Sequence, residues 1–119
     1  MEYSIRENSP EDKDLIEGFN KELNSRGFNF NLPQYNKELS NENNFIFERR
    51  YILTENSNTI RAGYNLKYQW FKINDDLIQL GYYYNPVTAG LFNKKYNICG
   101  ILLLNDANKK KTDLFSLGM

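Results

Sequence analysis

The sequence predicts an α+β domain built on a mixed sheet, and three patterns carry that prediction. The first is an amphipathic helix near the start, where Leu15, Ile16, Phe19 and Leu23 fall at i, i+1, i+4 and i+8. The second is a set of three apolar and aromatic runs, residues 45–55, 59–74 and 77–84, separated by the turn clusters Asn56-Ser57-Asn58 and Asn74-Asp75-Asp76. Strands joined by such short polar turns pair as an antiparallel meander. The third is a strand–loop–helix–strand unit at the end of the chain, whose length fits a right-handed parallel crossover.

Taken in order, Tyr3-Ser4-Ile5-Arg6 alternates as a short first strand. Ser9 is suited to an N-cap and Pro10 to the first helical position, with Glu11 and Asp12 on the positive pole of the helix dipole. Gly27 is placed to end that helix after Arg26, while Gly18 within it costs about 1 kcal/mol relative to Ala. Residues 28–32 (FNFNL) alternate as a strand until Pro33 and the polar run 34–44 interrupt them, a stretch that reads as a solvated linker with a turn of helix near Tyr35 and Leu39. The third meander strand is expected either to stop at Asn85-Pro86 or to have reached a sheet edge there, because proline cannot donate to a sheet ladder. A helical pattern then begins near Asn93, with Tyr96, Gly100, Leu103 and Ala107 on one face and Lys109-Lys110-Lys111 at its negative pole. Residues 113–117 return as a short strand.

Bulk composition narrows the function. At 119 residues the chain suits one domain, and 40% hydrophobic with 15% aromatic residues is ample for a core. Fifteen basic and fifteen acidic residues give a net charge of +0, so no global field draws the chain to nucleic acid or an anionic membrane. No apolar run approaches the roughly 20 residues of a membrane helix, and the N-terminus does not read as a signal peptide. With 0 His and a single Cys99 there is no internal disulfide, no Cys-cluster zinc site and no imidazole for a triad. The expectation is a cytoplasmic protein without a metal.

Lys95-Tyr96-Asn97-Ile98-Cys99-Gly100, followed by Ile101-Leu102-Leu103-Leu104, resembles the pyrophosphate loop of the GNAT N-acetyltransferases. Lys95 stands at that loop's basic or polar first position, Gly100 at its last small position and Leu103-Leu104 at the leucine pair that follows; Ile98 occupies the place of the first glycine. The closing Leu114-Phe115-Ser116-Leu117-Gly118-Met119 resembles the next strand of the same fold. The resemblance implies a GNAT-like fold, acetyl-CoA as co-substrate, and a small amine or amino sugar as acceptor, which attacks the thioester directly. It implies cofactor contacts from Lys95, Tyr96, Asn97, Ile98, Cys99, Gly100 and Ile101. It also implies backbone contacts to the pantetheine arm from residues 84–88, Val87 and Thr88 above all. Because the family continues with a further helix and strand pair, residues 1–119 are expected to be its N-terminal, cofactor-binding part, with three alternatives for the rest: the chain is a fragment, a second copy or a partner chain completes the sheet, or those elements were lost.

Acyl transfer to an amine needs a base for the nitrogen and an acid for the sulfur. The family's acid lies on a later helix, so none is carried over. Tyr82, Tyr83, Tyr84, Glu48 and Glu55 remain as candidates, with Tyr84 and Glu48 foremost. Alternation sends Tyr82 and Tyr84 to one sheet face and Tyr83 to the other. Such tyrosines more often pack in cores, the two glutamates read as solvated strand residues, and Cys99 reads as a small buried hydrophobe rather than a nucleophile. Trp70, Phe71 and Tyr68 offer stacking rings, although strand-to-helix packing explains them as well. The competing expectation is a non-catalytic acyl-CoA-binding or protein-interaction module with a partial GNAT fold.

Overall fold

A five-stranded sheet in the order β1-β2-β3-β4-β5 organises the computed structural model, which describes residues 2–111 and 113–115. Strand β1 (Tyr3–Glu7) leads through a single 3-10 turn, Pro10–Asp12, into helix α1 (Lys13–Ser25). Strands β2 (Ile46–Glu55), β3 (Thr59–Ile73) and β4 (Asp76–Thr88) form the meander, followed by helix α2 (Cys99–Lys110) and strand β5 (Leu114–Phe115). All neighbouring strands are antiparallel except β4 and β5, which run parallel as the crossover requires. The predicted continuation of β5 through Ser116 and Leu117, and the terminal Gly118 and Met119, lie outside the described residues.

Local chemistry fixes the joints. The Asp12 carboxylate accepts from the Ser9 amide at 2.8 Å and from both terminal Arg6 nitrogens at 2.7 and 2.6 Å, pinning the start of the helix to β1. At the other end Phe28 donates to the Leu23 carbonyl and Gly27 to that of Asn24, a Schellman closure that needs the positive φ of 94° at Gly27. The β3–β4 hairpin turns on Asn74 and Asp75, both at positive φ, which matches the twist of the flanking strands. Of the predicted α1 stripe, Ile16, Phe19 and Leu23 are buried, whereas Leu15 is exposed at the margin of the helix.

The expected strand over residues 28–32 is absent. The segment is an extended strap whose ladder partner is one side chain: Asn20 accepts from the Leu32 amide at 2.7 Å and donates to its carbonyl at 2.9 Å. Leu32 is buried, and a Cβ on Gly63 would lie 2.8 Å from it, so glycine is what lets the strap lie on the sheet. The polar run after it folds into turns, anchored by Arg49 to the Ser40 carbonyl and Glu42.

The two helices take opposite faces of the sheet. Tyr64 donates to Asp106 of α2 at 2.7 Å, and Tyr64, Leu66 and Tyr83 pack beneath Leu103 and its neighbours. The intervening residues of each strand face α1 and the strap.

Candidate functional site

Of the two alternatives at Asn85-Pro86, an end or an edge, the structure has the edge: strand β4 passes through them to Thr88. Asn65 pairs with Tyr84 and Gly63 with Val87, so Tyr64 alone stands opposite both Asn85 and Pro86. That is a β-bulge, with Asn85 at a φ of 53°, and a bulge is where a sheet accepts a proline that cannot donate. On the outer edge of β4, strand β5 pairs only with Gly81 and Tyr82. Among the described residues nothing is paired against that edge from Tyr84 to Thr88.

The edge leads to the start of α2. Thr88 accepts from the Gly90 amide at 3.1 Å and begins one 3-10 turn, Ala89–Leu91; a second, Lys94–Tyr96, is capped by Asn93, which accepts from the Lys95 amide at 3.1 Å. The helix expected from Asn93 therefore becomes a 3-10 turn followed by α2. Its buried face is Tyr96, Cys99, Leu103 and Ala107, with Cys99 in the place expected for Gly100. The Leu102 amide donates to the Ile98 carbonyl at 3.1 Å. Among the described residues, the amides of Ile98, Gly100 and Ile101 find no acceptor, as expected for the first turn of a helix. Open space surrounds the Gly100 Cα, Ile98 and Ile101 are exposed, and Lys94 and Lys95 flank the turn. Oriented amides with two cations beside them suit a phosphate group.

Cys99 points away from this opening into the core. Burial raises its thiol pKa, with the Glu55 carboxylate adding to the effect, so it has none of the thiolate character of a nucleophile. Tyr96 is buried too, under the Arg61 guanidinium at 4.5 Å from its ring, and Arg61 is held by Glu55 at 3.0 Å. Glu55 is thereby a structural ion-pair partner. A hollow of about 250 Å³ lined by Tyr3, Leu53, Leu102 and Asp106 lies between α2 and β1, away from the β4 edge.

Tyr84 precedes the bulge on the α1 face. Across the strands it stands in a row with Asn65 and Arg50, and Glu48, Lys67 and Tyr82 form the next row. Glu48 was expected to be solvated, yet its side chain is only 11% exposed and pairs with Arg50 at 3.4 Å. Arg50 also donates to the Gln34 carbonyl of the strap. Burial first, and then the Glu48 carboxylate, raise the Tyr84 hydroxyl pKa above its ordinary value. The bulge thus has open amides and lysines on one side and, on the other, half-buried Glu48, Arg50 and Tyr84 around a buried Asn65. Asn65 and Arg50 escaped the sequence reading because strand alternation alone does not reveal that the strap comes to lie against Arg50 or that Asn65 is buried beside it.

No protein-family model matches the chain, and no curated protein matches its sequence. Solved structures do. The glucosamine-6-phosphate N-acetyltransferase of Arabidopsis thaliana superposes with a TM-score of 0.68 at 14% identity, covering 100% of this chain and 84% of that one. An aminoglycoside acetyltransferase from an uncultured soil metagenomic sample, solved with sisomicin, gives 0.61 at 18% identity, over 98% and 78% of the two chains. A predicted acetyltransferase from Clostridium acetobutylicum, solved with acetyl-CoA, gives 0.54 at 21% identity, over 98% and 81%. The chain has the GNAT, or acyl-CoA N-acyltransferase, fold.

Proposed function

We propose that this chain belongs with the GNAT acetyltransferases and transfers an acetyl group from acetyl-CoA to a small primary amine. One observation carries the reading: among the described residues the β4 edge beyond Tyr82 has no paired strand, and past the bulge at Asn85-Pro86 it leads to the unpaired amides at the start of α2. An extended pantetheine arm fits as an added strand along Val87 and Thr88. The pyrophosphate fits at Ile98, Gly100 and Ile101, with charge from Lys95. Gly100 has the open space this needs, and the exposed Ile98 side chain lies along the rim.

In the reaction the neutral amine attacks the thioester carbonyl carbon, the C–S bond breaks and CoA leaves as the thiolate. The nitrogen gives up a proton and the sulfur takes one. Glu48 is the base proposed for the nitrogen. Tyr84, whose pKa is raised so that it stays protonated through the neutral range, is the donor proposed for the sulfur.

Calorimetric titration with acetyl-CoA tests the cofactor site. The native chain should bind saturably, and Ile98→Glu should weaken binding by at least about tenfold, because a carboxylate then competes for the same amides. That substitution is neutral or favourable for the helix itself, so lost binding is not lost folding. No heat at millimolar acetyl-CoA from a chain shown folded by circular dichroism overturns the proposal. Binding without acetylation of any amine leaves the second reading, a non-catalytic acyl-CoA-binding module.

A further inference from the structure

We infer that the uncovered α1 side of the β3–β4 hairpin is a docking face for a second copy of this chain, packed sheet on sheet with the strands antiparallel. Beyond the row of Lys67 that face presents Ile46, Phe71, Ile73, Ile78 and Leu80. Ile46 and Ile73 are 48% and 45% exposed, and none of the five belongs to the buried core or packs against it. Toward β5 the face runs into a ladder of rings: Tyr84 stacks on Tyr82 with centroids 4.8 Å apart, Tyr82 on Phe115 at 5.0 Å, and Phe71 meets Phe115 edge-on at 6.3 Å. The rings lie on one another and fill the face rather than hollow it, which suits a second surface better than a small molecule. A strand that reads as a near-continuous apolar run, as residues 77–84 do, is ordinarily covered on both faces.

Charge selects the occupant. Asp76 stands at the tip of the face, paired across the hairpin with Ile73. Lys67 stands at its inner end, about 20 Å away along β3. Among the described residues neither side chain is in a salt bridge. A two-fold axis across the middle of the face, level with Gln69 and Phe71, turns the tip of each copy onto the inner end of the other. Asp76 then meets the partner's Lys67 at both ends, while Phe71, Ile78 and Leu80 interdigitate at the usual inter-sheet spacing of about 10 Å. The α2 side offers no such match, because Lys72 at its tip and Arg49 at its inner end are both cations. A face about 20 Å long and about 15 Å wide lies at the small end of specific interfaces, so the dimer is reversible. Such face-to-face packing is a different contact from completion of the sheet at its β5 edge.

The test is sedimentation equilibrium of the full chain from about 1 μM to about 1 mM, the range of a reversible dimer. The native chain should pass from monomer to dimer in that range, and Ile73→Lys should weaken dimerisation by at least about tenfold. Lys67→Asp and Asp76→Lys should each do the same alone, since each sets like charges together at both ends of the interface. A mixture of those two variants restores opposite charges at both ends and should associate as tightly as the native chain. Circular dichroism checks the folding of each variant. A chain that stays monomeric to about 1 mM overturns the inference and leaves the face to a different protein. A dimer that Lys67→Asp and Asp76→Lys leave unchanged, or that their mixture fails to restore, overturns it as well.

Discussion

The two faces of the one sheet have been treated differently. Beneath α2, Tyr64, Leu66, Leu53, Leu103, Cys99 and Ala107 are sealed from solvent, and even the Tyr64 hydroxyl is used, donating to Asp106, which also pairs with Lys110. On the opposite face the cover is partial. Ile16, Phe19, Leu23 and Leu32 bury Ile52 and Ile60, but farther down the strands Glu48, Lys67, Tyr82 and Phe71 have no helix over them. Where a helix lies over the strands they make a core, and beyond its reach both faces open, with Tyr68 and Trp70 on the α2 side and Lys67 and Phe71 on the other. Helix coverage decides which, and the polar residues stand at the margin of the cover.

Mutations can break or sharpen that contrast. The largest effect should come from Leu103→Ala, which opens a cavity in the sealed face and should cost about 3 kcal/mol. Phe71→Ala on the open face should cost about 1 kcal/mol or less, and comparable costs in urea denaturation would show that the second face is no less packed than the first. Next in size is Asp12→Asn, which removes the carboxylate gathering Ser9 and Arg6 beneath α1 and should cost about 2 kcal/mol at pH 7. The Arg6 guanidinium is the main cause of the lowered Asp12 pKa in the fold. The stabilisation is therefore complete above the carboxyl's ordinary value of 3.8 and is lost as pH falls through the depressed folded value. The native–variant difference should shrink on acidification below pH 3.8, and a difference that grows there would contradict the pairing. Tyr64→Phe is expected to cost about 1 kcal/mol, since Asp106 keeps Lys110 as a partner when the hydroxyl is gone.

Much of this was legible in the residues. The meander follows from alternating strands and turn clusters, and Asn74-Asp75 tolerates the positive φ its hairpin demands. Helix α1 follows from its stripe and Gly27 from its closing position. The errors share a cause. Residues 28–32 alternate as a strand does, but a strand needs a ladder, and Asn20 supplied the hydrogen bonds first. Pro86 lacks a donor, as any reader of the sequence can see, yet the bulge set by Tyr64 opposite two residues removed the need for one. Gly100 and Cys99 differ by one helical step, and only the docking angle of α2 chose between them.

The sequence by itself determined the order of elements, the parallel crossover and the positively charged flank at the start of α2. These depend on periodicity and on residues close in the chain, where local sterics and hydrogen bonding decide. Tertiary structure decided that β4 continues past its proline, that Glu48 and Arg50 are half-buried partners rather than solvated charges, and that an aromatic ladder ends at the bulge. Each of those is a relation between strands, set by register and by how far a helix reaches across the sheet, and neither quantity is written in any single stretch of chain.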